Sequence, residues 1–147
     1  MSDSCELHSG CAPDDIVVDK EKTLRMHATV LAYIGDAIYE VYIRKYVIDT
    51  GIVHADRLHT AAVRFVKASA QAKIMKLMFD GLPEEEQTLV KRARNRKPKT
   101  VPKNAEVLDY KWATAFEALL GYYYLTEQKT KLENAILIAI NSVEGAI

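Results

Sequence analysis

Apolar and polar positions along most of this chain alternate with a period of three to four residues, and that period predicts helices. Over residues 29–47, Leu31, Ile34, Ile38, Val41, Tyr42 and Tyr46 recur at this spacing, and Asp49-Thr50-Gly51 supplies a stop. A second helix is expected over residues 56–79, with Ala61, Phe65, Ala68, Ala72 and Met75 on its packing side. Asp80-Gly81-Leu82-Pro83 reads as a turn. Pro83 followed by Glu84, Glu85 and Glu86 opens a third helix, with acids at the positive end of the helix dipole. That helix carries Leu89 and Val90 into a basic stretch, and Pro98 and Pro102 bracket a loop that no helix can cross. Further helices are expected over residues 105–125 and from residue 129 to about 143. In the last of these, Leu132, Ala135, Ile136, Ile138, Ala139, Ile140 and Val143 cover most of the circumference. Such a helix is expected to be buried centrally or in a subunit contact. No alternating strand pattern of useful length interrupts the series, so the fold class is all-α.

Composition adds bounds. A chain of 147 residues that is 49% apolar can bury one core without staples. Residues 1–20 hold Gly10, Pro13, Asp14 and Asp15 with little periodicity and read as a flexible leader, which leaves residues 21–147 as one domain. A net charge of zero speaks weakly against nucleic-acid binding, but the distribution changes that picture. Residues 1–22 carry six acids against two lysines, so the rest holds 18 basic residues against 14 acidic. Cys5 and Cys11, with His8 between them, match no zinc spacing and read as reduced thiols in a tail. No apolar run approaches membrane-spanning length and the start lacks a signal peptide, so no membrane association and a cytoplasmic location are expected.

Two segments carry candidate chemistry. In LAYIGDAIYE, residues 31–40, Asp36 stands mid-helix among Ile34, Ala37 and Ile38, where aspartate is a poor helix former and costly to bury. Glu40 follows one turn later on the same face, and Gly35 points to a close approach by another backbone or a ligand. In ATAFEALLGYYYL, residues 113–125, Glu117 is embedded among Ala115, Phe116, Ala118 and Leu119, with Ala113, Thr114 and Gly121 on its side. Two acids from separate helices in apolar surroundings repel each other and resist ionisation unless a cation lies between them. Mg²⁺ prefers oxygen ligands and keeps several waters, so two carboxylates plus phosphate oxygens suffice to hold it. Such an ion would activate a water and neutralise a phosphate under attack.

These two segments resemble the ribonuclease III superfamily. Gly35-Asp36-Ala37 matches the core of its signature helix, and Phe116 to Gly121 matches its second acidic motif; the resemblance runs over about residues 22–147. It implies a helical bundle like the ribonuclease III catalytic domain, with Asp36 and Glu117 as the catalytic, metal-binding acids. It also implies Mg²⁺ as cofactor, with Mn²⁺ as substitute, and a two-fold homodimer acting on double-stranded RNA to leave 5′-phosphate and 3′-hydroxyl ends. Full-length members carry further acids where this chain has Ala32 and Thr114. That reduced set is similar to the Mini-ribonuclease III subgroup, as is the stretch from RARNRKPKT through VPKNAEV. The likeness implies precursor large-subunit ribosomal RNA as substrate, with assistance from a ribosomal protein. Glu40 is expected to support the metal site.

Residues 91–103 hold Lys91, Arg92, Arg94, Arg96, Lys97, Lys99 and Lys103 with no acid among them. Double-stranded RNA is recognised through phosphates, 2′-hydroxyls and shape, so a dense basic loop just ahead of the Glu117 helix is expected to grip it. A sparser set on the second helix includes Arg64, Lys67 and Lys73. His54 and His59 read as structural or surface residues. Tyr122, Tyr123 and Tyr124, with the final helix, are candidates for the dimer contact. Two other functions stay open at this point. A helical metal-dependent nucleotide phosphohydrolase would leave the basic loop surplus. A double-stranded RNA-binding protein without activity would have no use for both acids.

Overall fold

A computed structural model describes residues 18–97 and 106–145. Among the described residues the chain forms α1 (Lys20–Leu24), α2 (Ala28–Asp49), α3 (Ala55–Val66), α4 (Ala68–Phe79), α5 (Glu84–Asn95), α6 (Val107–Leu125) and α7 (Lys129–Glu144), with no strand. Residues 1–17 of the expected leader lie outside this range. Val18 donates its backbone N–H to the carbonyl of Leu125, and the Asp19 side chain caps α1 by accepting from the Lys22 N–H.

The central element is α6 rather than the final helix. Ala113, Ala115, Phe116 and the run from Ala118 to Tyr123 are all buried, because α2, α4, α5 and α7 surround α6. The last helix, α7, lies at the periphery. It buries Leu132, Ala135, Ile136 and Ala139 and leaves Glu133, Asn134, Leu137 and Asn141 in solvent. Tyr122 and Tyr123 are core residues, and of the three tyrosines only Tyr124 reaches the surface.

The helix expected over residues 56–79 is two helices. Lys67 is extended, with φ −63° and ψ 150°, and separates α3 from α4. Neither proline nor glycine marks the break. The buried Gln71 stabilises it by donating Nε2–H to the Val66 carbonyl at 2.7 Å, so a side chain satisfies an acceptor at the end of α3. The packing face of α2 also differs from the expected one. Its buried stripe is Ala28, Leu31, Gly35, Tyr39, Ile43 and Val47, while Val41 is exposed and Ile34, Ile38, Tyr42 and Tyr46 are partly covered.

Three contacts hold the frame around α6. Tyr39 of α2 donates its hydroxyl to the Phe65 carbonyl at 3.0 Å and meets Phe116 edge to face at 5.2 Å. The fully buried Glu86 of α5 accepts from the Tyr123 hydroxyl on α6 and from Lys131 Nζ on α7 at 2.6 Å, so both its oxygens are partnered. The third contact is between backbones. A Cβ added at Gly35 would overlap the Glu117 carbonyl, and one added at Gly121 would overlap the Leu31 carbonyl. Helices α2 and α6 therefore cross antiparallel, backbone on backbone at these two glycines, with the Ile34 side chain packed beside Gly121.

This crossing makes a prediction whose sign opposes helix propensity. Alanine is favoured over glycine in a helix by about 1 kcal/mol. Gly35→Ala and Gly121→Ala should nonetheless each destabilise the protein by about 3 kcal/mol or more, because the obstructing atoms are backbone and must be pushed apart. Denaturant unfolding measures this; a stabilised variant would contradict the crossing.

Candidate active site and basic surfaces

The glycine crossing decides where the acids go. Asp36 follows Gly35 directly, and the Glu117 carbonyl is the atom on which Gly35 rests, so the two acids flank one seam. Their carboxyl groups stand within hydrogen-bonding reach of each other. Asp36 is exposed, not embedded as its apolar neighbours suggested, and Glu117 is partly covered. The Glu117 carboxyl is pushed up to about 9, chiefly by burial, then by its hydrogen bond to Asp36 and the negative charges of Asp36 and Glu40. With no counter-charge the pair thus retains a proton at neutral pH.

Glu40 stands one turn beyond Asp36. Its Oε2 accepts from Arg44 Nε at 3.3 Å, so it feels the acid pair electrostatically while its own charge is partly compensated. Thr114 turns its hydroxyl to the Tyr110 carbonyl at 3.0 Å within its own helix. No group of three or more histidine, cysteine, aspartate or glutamate side chains suited to a metal ion lies among the described residues. The donor set is a carboxylate pair.

Tyr39 went unnoticed in the sequence reading. Burial raises its phenol above the ordinary range, and Glu40 and Glu117 add to the shift. It braces α2 beside the acid pair through its bond to Phe65. Its spacing of four from Gly35 and Ile43 was the available signal, since it falls in the buried stripe.

The basic residues separate into two surfaces. Arg64, Lys67 and Lys73 share one hollow of about 410 Å³ with Ser69 and Ser142, where Arg64 pairs with Glu144 at 3.3 Å. The basic run after residue 90 begins inside a helix instead of a loop, and two of its arginines have structural partners. Arg92 donates to the carbonyls of Leu24 and Met26, both at 2.8 Å. Arg94 lies over the Trp112 ring, 5.0 Å from its centroid, and donates to Asn95 Oδ1. Arg96 is partly covered, and Lys91 and Lys97 are exposed. Lys99 and Lys103 lie outside the described residues. His54 and His59 are both exposed.

With this geometry in place, comparison with known proteins is informative. The Ribonuclease III domain family matches residues 29–128, a span that contains both acids and the crossing glycines. The chain is 46% identical over 121 residues to Mini-ribonuclease 3 of Enterococcus faecalis, covering 81% of this chain and 92% of that one. Against Mini-ribonuclease 3 of Thermoanaerobacter the identity is 42% over 128 residues, covering 87% and 90%. A crystal structure of a Fusobacterium nucleatum protein shares the fold with a TM-score of 0.74 and 35% identity, covering 84% of this chain and 96% of that one. The chain belongs to the ribonuclease III family of endoribonucleases.

Proposed function

We propose that the chain cleaves both strands of double-stranded RNA as a Mg²⁺-dependent homodimer, with Asp36 and Glu117 as the catalytic, metal-binding acids. The observation that carries this reading is the approach of these two carboxyl groups across the α2–α6 seam. The pair suits a hard divalent cation. A carboxyl held protonated by burial and a neighbouring acid is one from which a cation displaces the proton, and Mg²⁺ needs few protein ligands because it retains waters. Bound there, the ion would supply charge neutralisation at the phosphate and an activated water. Asp36, on the exposed rim, faces the incoming strand, while Glu117 anchors the inner side. Glu40 reinforces the negative field, and Tyr39 holds the helix in place. Mn²⁺, with similar oxygen preference, should substitute.

The basic surfaces supply phosphate contacts: Arg64, Lys67 and Lys73 on one, and Arg92, Arg94, Arg96 and Lys97 on the other, with Lys99 and Lys103 beyond. Arg92 and Arg94 contribute through the charge that remains after their structural bonds. A row on α2, formed by Val30, Tyr33, Ala37 and Val41, is apolar and exposed at helical spacing, with Tyr33 84% accessible, and it ends where Arg44 and Lys45 begin. It runs beside Asp36 and is the face a second copy would cover, which would bring two acid pairs to one duplex. By likeness to the Mini-ribonuclease III subgroup, the natural substrate is precursor large-subunit ribosomal RNA, presented with the help of a ribosomal protein.

In an assay with labelled duplex RNA and Mg²⁺, Asp36→Asn and Glu117→Gln should each lose at least about 100-fold in cleavage rate, the effect of several kcal/mol of lost charge stabilisation. Binding without cleavage by the parent would mark an inactive RNA-binding protein, and turnover of free nucleotides instead would mark a phosphohydrolase. The raised pKa of Glu117 sets the sign of a pH effect. Its stabilising contribution is complete below about 4.5 and is lost as pH rises through about 9. Thermal melts in chelator should therefore fall over that window for the parent and flatten in Glu117→Gln, and Mg²⁺ at pH 8 should restore stability only to the parent. Tyr33→Arg combined with Val41→Arg should sediment as a monomer and lose double-strand cutting. A dimer persisting in that variant would place the contact elsewhere.

A further inference from the structure

The turn between α1 and α2 and the last turn of α5 enclose a second cationic hollow of about 470 Å³. Arg25, His27, Arg92, Asn95 and Arg96 line it beside Ala28, and no carboxylate does. The ion pairs among the described residues involve none of these arginines. Arg92 spends part of its fork on the carbonyls of Leu24 and Met26, which pins the turn and holds Arg25 and His27 beside the end of α5. Carbonyls accept hydrogen bonds without cancelling charge. Three guanidinium groups thus share one hollow with no acid among its lining residues, an excess of positive charge that attracts an anion. Planar guanidinium forks match the oxygens of a phosphate.

Two features point to a phosphate in a polymer. Arg25, His27 and Asn95 are exposed, so the hollow is a surface groove that admits a continuous strand. Ala28, Ala32 and Asp36 form a row at four-residue spacing along α2, running from Ala28, buried at the edge of the hollow, through the partly covered Ala32 to the exposed Asp36. Its length is about 12 Å at the helical rise per residue. We infer that this hollow binds a backbone phosphodiester of the duplex RNA, on the strand that runs to Asp36. Arg25 and Arg96 close on the phosphate, His27 and Asn95 add donors, and Arg92 fixes the turn that brings them together. The inference rests on the nuclease reading above and adds contacts from the segment ahead of α2.

The test is duplex RNA binding by fluorescence anisotropy in chelator, over a series of salt concentrations. The proteins are the parent, Arg25→Gln, Arg96→Gln, their double variant, and Lys45→Gln as an exposed control outside the hollow. Arg92 stays in place, because its loss would release the turn. Each arginine replacement should weaken binding severalfold and lower the slope of log affinity against log salt by about 1, and the double variant by about 2. Lys45→Gln should match the parent. With Mg²⁺, the arginine variants should raise KM and keep kcat, with melting temperatures equal to the parent's. Arginine variants with the parent's slope, while the parent binds and cuts duplex RNA, would overturn the hollow alone. An equal drop for Lys45→Gln would overturn it too. A parent that neither binds nor cuts would overturn the nuclease reading and this inference together.

Discussion

The meeting of α2 and α6 at bare backbone governs the rest of the molecule. Gly35 lies on the Glu117 carbonyl and Gly121 on the Leu31 carbonyl, so each helix supplies the space that the other's main chain fills. A contact of that kind permits almost no sliding or rotation, because any shift drives a carbonyl oxygen into a helix or opens a void. It also sets a register, with residue 35 against 117 and residue 31 against 121. The acids inherit their separation from that register rather than from bonds of their own. Glycine weakens each helix locally, by about 1 kcal/mol relative to alanine. The surrounding burial of Leu31, Tyr39, Phe116, Leu119 and Leu120 offsets that loss.

Much of this was legible in the sequence because it follows from local chemistry. The helical period located α2, α5, α6 and α7, and an acid among apolar neighbours marked both Asp36 and Glu117. Gly35 signalled a close approach, and the structure supplies what approaches. The break at Lys67 was hidden because its cause is Gln71, four residues on, whose polar side chain reaches back to a carbonyl. No composition rule marks such a device. Helix α2 misled in a different way. It carries apolar residues on two faces, one buried and one exposed, and hydropathy along a sequence does not distinguish core from uncovered surface.

The basic run teaches a related lesson. Seven cations in thirteen positions read as a mobile grip. Charge density alone does not show that Arg92 ties down a distant turn or that Arg94 lies on Trp112. Both arginines still contribute field, but their guanidinium groups are anchored. Conversely, Arg25 and His27 lie far from that run in the sequence, and only the fold lays them beside Arg96.

Helix α5 is fastened at both ends. Near its start the buried Glu86 joins Tyr123 and Lys131, and near its finish Arg94 lies on Trp112. Both Tyr123 and Trp112 belong to α6, the helix that carries Glu117. The cationic end of α5 and the carboxylate are thereby fixed to the same rod, as jaw and blade are on one handle. If RNA binds and is cut as proposed, a duplex that fits the jaw poorly would not be accommodated by a swing of α5; it would have to bend or twist to reach the blade. Under that proposal, selectivity among duplexes would come from how easily each one deforms.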